Sequence, residues 1–233
     1  MKKITLVLFL TSLLKTAFPQ AQGIFIYEDD YSDPLATGKV VTKIYESKSM
    51  ARIESTNTTT KSALGDPTSK EQDVILLDLD KLSETHLSAE RKTAIITPFT
   101  TSSSEDLMKK LGTEVTIQNL GPEKIGNYNC THFVITTTTK NNSLNYDTKK
   151  DIWTTKDLGI GNVYYVGHYL YYPKGSQIAG KLTDAGAGGI VVRWQVLDPT
   201  TKKPNVCNLV RYQAGPVPAS EFSAPSGYMV IRR

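Results

Sequence analysis

Hydrophobic and polar residues alternate in short runs along most of this chain. The clearest run is Ile190-Val191-Val192-Arg193-Trp194-Gln195-Val196, where Ile190, Val192, Trp194 and Val196 face one way and Arg193 and Gln195 the other. A period of two is what a half-buried antiparallel strand requires. Gly188-Gly189 precedes the run and Asp198-Pro199 follows it, and both are turn signals. Beyond the polar stretch 199–205, the run 206–212 is its partner, so the pair predicts a β-hairpin. Similar runs fall at 24–27, 39–46, 50–55, 73–79, 93–97, 113–119, 128–138 and 151–155. Several are rich in Val, Ile, Thr and Tyr, which suit a pleated surface. The threonines at 136–139 fit the solvated side of a long strand.

Two segments break the alternation. Ser102 with Glu105 matches a capping box, Gly112 sits where a helix would stop, and Leu107, Met108 and Leu111 form a small stripe between them. A short helix is expected there. A second helix is expected over 162–171, where Val163, Val166 and Leu170 recur at helical spacing and Pro173 follows. Tyr164, His168, Tyr171 and Tyr172 would spread over its other side. The stretch 55–72, rich in Thr, Ser and Lys, is the expected flexible insertion.

The first 22 residues follow a different logic. Lys2 and Lys3 open the chain, an apolar run covers 4–14, Lys15 and Pro19 close it, and Ala21 is a small residue before a cut. That order is a secretory signal peptide, and the run is too short for the ~20 residues of a spanning helix. No cysteine follows the run to take a lipid, and no second such run exists, so no transmembrane span is expected in the mature chain. The division is therefore a signal peptide at 1–22 and one β-rich domain at 23–233, in the periplasm of a Gram-negative bacterium or secreted. About 210 residues bury a core without disulfide staples. Removing Lys2, Lys3 and Lys15, with no acid, takes the net charge from +4 to +1. Nucleic-acid binding needs a basic patch or stripe. The isolated pairs Lys149-Lys150 and Lys202-Lys203 read instead as solvated turn charges, so no nucleic-acid partner is expected. Cys130 and Cys207, the only cysteines, give no disulfide framework, and buried free thiols are expected over a pair.

Gly175-Ser176-Gln177-Ile178-Ala179-Gly180-Lys181 fits seven positions of a phosphate-binding loop, but Leu182 stands where Ser or Thr would hold Mg²⁺. It reads as a glycine-rich surface loop, since Asp184-Ala185-Gly186 would break a helix. Gly159-Ile160-Gly161 and 186–189 lack the third glycine of a dinucleotide fingerprint and read as turns. His86, His132 and His168 lie far apart, and no spacing predicts the convergence a zinc site needs. Asp78 and Asp80 alternate with Leu77 and Leu79, as on the wet face of a strand entering a turn. Cys130 and His132 would share a strand face, but no third group orients them, and the Gly-x-Ser-x-Gly elbow is absent. The sequons at Asn57, Asn129 and Asn141 matter only in a eukaryotic secretory path. No catalytic, cofactor-binding or metal-binding residue is assigned, no cofactor is expected, and the chain reads as a non-enzyme.

Three elements carry a resemblance. They are Gly126-Asn127-Tyr128-Asn129-Cys130-Thr131, then Ile152-Trp153-Thr154-Thr155-Lys156-Asp157-Leu158, and the closing Ser220-Glu221-Phe222-Ser223-Ala224-Pro225-Ser226-Gly227-Tyr228. In this order the chain resembles the exported bacterial family catalogued as domain of unknown function 4412, found in Bacteroidetes-type bacteria. The resemblance spans most of the mature chain, with Asn127 inserted between a glycine and tyrosine that the family keeps closer. It implies a mainly β, α+β fold: a strongly curved antiparallel sheet, a half-barrel like that of periplasmic lipoprotein carriers, with one or two short helices. The family brings no established activity. The resemblance, with Tyr164, Tyr165, Tyr169 and Trp194 available to line a cavity, implies a non-enzymatic binder or carrier of a lipid or other apolar ligand. The alternative is a cell-envelope protein-interaction module without a small-molecule ligand, and a third is a hydrolase whose carboxylates converge only in three dimensions.

Overall fold

Each alternating run becomes a strand in the computed structural model, which describes residues 19–32, 36–62, 69–98, 112–141, 144–167, 171–174, 176–198 and 202–233. In chain order the first six strands are β1 (Gly23–Ser32), β2 (Ala36–Glu46), β3 (Met50–Ser62), β4 (Lys70–Asp78), β5 (Ser83–Ser88) and β6 (Thr93–Pro98). Then come β7 (Thr113–Ile125), β8 (Tyr128–Asn141), β9 (Leu144–Thr155), β10 (Val163–Tyr165) and β11 (Tyr171–Pro173). Helix α1 (Gln177–Asp184), β12 (Ile190–Leu197), β13 (Pro204–Ala214), a 3₁₀ turn (Ala219–Phe222) and β14 (Met229–Arg232) complete the chain. Twelve strands form one sheet in the order β14-β6-β5-β4-β3-β2-β1-β13-β12-β9-β8-β7, and β10 pairs only with β11. All pairings are antiparallel except β14 with β6. The sheet is large, curved and unclosed, a half-barrel.

Alternation fixes which face is buried. On β1, Phe25, Tyr27 and Asp29 turn inward and Ile24, Ile26 and Glu28 outward. Phe25 lies opposite Ile44, Ile44 opposite Ile53, and Ile53 opposite Ile75, so one buried row crosses β1 to β4. Each such side chain contributes about 1.5–3 kcal/mol on burial, and a one-residue slip would turn the whole row to solvent. Register shifts occur in four of the described pairings, and two of them leave Val210 on β13 and Leu120 on β7 as unpaired residues with exposed side chains.

The inner face is filled by the chain that follows β9, and here the structure corrects two sequence expectations. Residues 163–165 and 171–173 form a hairpin, not the helix expected over 162–171. Asn162 anchors it: its N–H donates to Glu46 Oε2 at 3.0 Å and its carbonyl accepts from Lys174 N–H at 2.7 Å. Val163 and Tyr165 then point inward at strand spacing. The second correction concerns 175–181, expected as a surface loop, which supplies α1. Ser176 Oγ accepts the Ala179 N–H at 3.3 Å as its N-cap, and Ile178, Ala179 and Leu182 form the buried stripe. The Asp184-Ala185-Gly186 breaker is the helix stop. Gly186, at φ +90°, donates to the Thr183 carbonyl, and Ala187 donates back to the Leu182 carbonyl, a Schellman end.

The expected insertion at 55–72 is largely strand, β3 running to Ser62 and β4 starting at Lys70. The helix expected at 102–111 and residues 1–18 of the expected signal peptide lie outside the described residues. Residues 19–22, assigned to that peptide, touch the domain: Ala21 is buried, its N–H donates to the Ile160 carbonyl at 2.9 Å, and Gln20 bridges to Ile160. Cys130 and Cys207 are buried and free. After β13 the chain crosses the outer face as a strap, with Phe222 buried and Arg52 Nη1 donating to the Glu221 carbonyl at 3.1 Å.

Candidate functional site

Strand register assembles the polar centre of the inner face. Asp29 on β1 lies opposite Cys207 on β13, and Cys207 lies opposite Trp194 on β12. Trp194 in turn faces Ile152 on β9, two residues from Lys150. The Lys150 ammonium sits 4.9 Å from the centre of the Trp194 ring and donates to the Val166 carbonyl at 2.5 Å. Lys150, expected as a solvated turn charge beside Lys149, is therefore drawn inward while Lys149 stays exposed. Its methylene stem makes this possible, because it reaches across apolar surface before the charge is placed.

The hairpin covers this centre. Tyr165 packs against Tyr27 with ring centres 4.7 Å apart, and its hydroxyl donates to Thr42 Oγ1, which is 2.9 Å from Ser55 Oγ. Tyr27 donates to the Val191 carbonyl at 2.8 Å. Farther along the hairpin Tyr171 donates to Glu84 at 2.9 Å, with His86 3.4 Å from the other Glu84 oxygen. The hydrogen bond His86 donates to Glu84 raises the imidazole, and the same contact lowers Glu84.

Two polar atoms of the centre stay unsatisfied. Asp29 Oδ1 and Trp194 Nε1 are buried, and among the described residues neither meets a hydrogen-bond partner of normal strength. The indole N–H points toward the Cys207 sulfur, which is only a weak acceptor. Each orphan of this kind costs about 1–3 kcal/mol. Burial pushes Asp29 up to about 6, with Asp30 adding to the shift and Lys150 opposing it. Burial likewise pushes Lys150 down to about 8, against the pull of Asp29, and drives the Cys207 thiol well up. Nearer the start of β1, Glu46 is wholly buried and raised to about 8 by desolvation, although the Asn162 and Val163 N–H groups favour its charged form.

Tyr165 and Trp194 share the inner face. Tyr164 turns away and donates to the Ala187 carbonyl at 2.8 Å, and Tyr169 and His168 lie outside the described residues. Cys130 and His132 do not form a nucleophile–base pair. The thiol donates to the Tyr128 carbonyl at 3.6 Å, while His132 has Asp151 at 2.8 Å on one ring nitrogen and Glu123 at 3.3 Å on the other. His132 also stacks on Trp153, whose N–H donates to Glu123 at 2.8 Å. Leu182, at the place of the phosphate-loop hydroxyl, is fully buried. Among the described residues no three His, Cys, Asp or Glu side chains are grouped to hold a metal ion, and no helix is long and apolar enough to cross a membrane. On the outer face a pocket of about 200 Å³ lies between the strap and β1–β2, lined by Ile24, Tyr45, Pro216 and Val217 among others. The Asp29–Lys150–Trp194 centre had no sequence signal, because its members meet only through the register of four strands.

The chain belongs to the family described as Domain of unknown function (DUF4412), whose model matches residues 33–228. A crystal structure similar to it is that of a Bacteroides fragilis protein with a YmcC-like fold, named for its inferred export. That likeness has 12% identity and a TM-score of 0.29, and covers 84% of this chain and 98% of the other. No curated protein matches the chain. The three elements that carry the family resemblance are architectural. The first two meet across β8 and β9, where Cys130 lies opposite Thr155 and Asp157 accepts the Asn129 N–H at 2.9 Å. The third is the strap that brings β14 to β6.

Proposed function

We propose that this is an exported, non-enzymatic periplasmic protein that binds an apolar or amphiphilic molecule on the inner face of its half-barrel, beneath the hairpin and α1. The observation that carries this reading is the pair of unsatisfied atoms, Asp29 Oδ1 and Trp194 Nε1, in the polar centre of an inner face lined mainly by apolar side chains. A core selected only for stability satisfies its buried polar groups. A binding face leaves such groups for the ligand. That face is now occupied by Val163, Tyr165, Val166, Ile178 and Leu182, so uptake requires the covering segment to move. The interaction-module alternative draws on Met229 and Val230, exposed on the edge strand β14, a smaller basis than the inner face.

The test is native mass spectrometry of protein isolated without detergent from its own periplasm, followed by organic extraction, together with titration by the neutral apolar dye N-phenylnaphthylamine. A co-purifying lipid-sized mass, or saturable dye uptake, is expected. A bare polypeptide mass with no dye uptake overturns the reading.

A further inference from the structure

We propose that the ligand of the inner face ends in a neutral group that both donates and accepts a hydrogen bond, a hydroxyl or a primary amide on an apolar chain, held between Asp29 and Trp194; this rests on the binding reading above. The two orphans are complementary in kind. Asp29 Oδ1 lacks a donor, and Trp194 Nε1 has no acceptor beyond the weak Cys207 sulfur. Both flank Cys207 in the register, one strand to either side. Neighbouring strands lie about 4.8 Å apart, so the two backbones are separated by about 10 Å, and side chains from either side reach a group placed above the thiol.

A hydroxyl placed there accepts from the indole and donates to the carboxylate at once. A ligand carboxylate has no proton for Asp29 and repels it, while an ammonium has no lone pair for Trp194. Charge balance points the same way. The Lys150 cation, held over the Trp194 ring, is electrostatically coupled to Asp29. A further buried charge would stand without a counterion, which is costly. The apolar remainder of the ligand would take the path now held by Tyr165 and Val166.

The experiment is dye competition on the mature full chain by four probes of equal length: decanol, decanamide, decanoate and decylammonium. Decanol and decanamide are expected to compete at concentrations at least about tenfold below the two charged probes, as one satisfied against one unsatisfied buried group implies. The double substitution Asp29→Leu, Trp194→Phe is expected to abolish the preference of decanol and decanamide over the two charged probes. Decanoate or decylammonium competing as well as decanol in the unaltered protein overturns the inference while leaving the binding reading intact. Absence of any dye or probe binding overturns both.

Discussion

Replacing Glu46 by glutamine probes the most deeply buried acid of the fold. Its side chain is 1% exposed, and burial raises it from 4.5 to about 8. The folded protein therefore keeps a proton that the unfolded chain gives up near 4.5. The stability this provides is fully present below 4.5 and is lost as pH rises through 8. One proton difference changes stability by about 1.4 kcal/mol per pH unit, so the full window is worth roughly 4–5 kcal/mol. Asp29 acts with the same sign but only from 3.8 to about 6. His86, raised above 6.5 by Glu84, also titrates in the upper range, but equally in both proteins. Urea unfolding of wild type and Glu46→Gln between about pH 6.5 and 8 isolates the effect, and wild type is expected to lose about 2 kcal/mol relative to the variant. Glutamine keeps the acceptor for the Asn162 N–H, so the variant retains the hairpin anchor. Parallel stability curves for the two proteins would refute the assignment of a protonated Glu46.

Three further outcomes follow from the packing. Phe222→Ala removes the buried anchor of the strap and is expected to cost about 3 kcal/mol; hydrogen exchange should quicken at the Met229 amide, which donates to the Lys92 carbonyl at 2.8 Å, and an unchanged rate there speaks against the anchor. Gly189→Ala is expected to yield no folded protein on circular dichroism, because the added Cβ would lie 1.8 Å from the Thr155 carbonyl oxygen at a φ of +95°. Cys130 and Cys207 are free, and burial raises both thiols; Ellman's reagent should find neither in the folded protein and both after denaturation, whereas an intact mass lower by a lost hydrogen pair would show a disulfide.

The strands were legible because burial on one face imposes a period of two on the side chains themselves. The β12–β13 hairpin is the clearest case, with Trp194 opposite Cys207 and Gln195 opposite Val206. β5 was not legible: Ser-Glu-Thr-His-Leu-Ser is strand only because β4 and β6 flank it. The hairpin at 163–173 was misread because Val163 and Val166 recur at a spacing a helix shares, while the anchor that decides the matter, Glu46, lies far away in sequence. α1 was missed through its glycines, although Ser176 and Gly186 are ordinary start and stop residues once Leu182 is seen to be buried. The polar centre was invisible for a different reason. No local pattern encodes that Asp29, Lys150, Trp194 and Cys207 will be neighbours; three strand pairings do.

The order of strands also governs when the molecule can exist. β1 to β6 form a meander of consecutive neighbours, and its two flanks are closed only by β13 and β14. Both are formed by residues 204–233, which follow every strand of the meander in chain order. Until then the nascent meander offers a bare backbone ladder on each side, and such ladders recruit other chains. Gly23 must wait for Ala214 as its partner, a sequence separation that makes folding slow. Closure of both flanks thus waits for β13 and β14, and a chain stopped short of residue 204 would present two adhesive borders rather than a smaller version of the same protein.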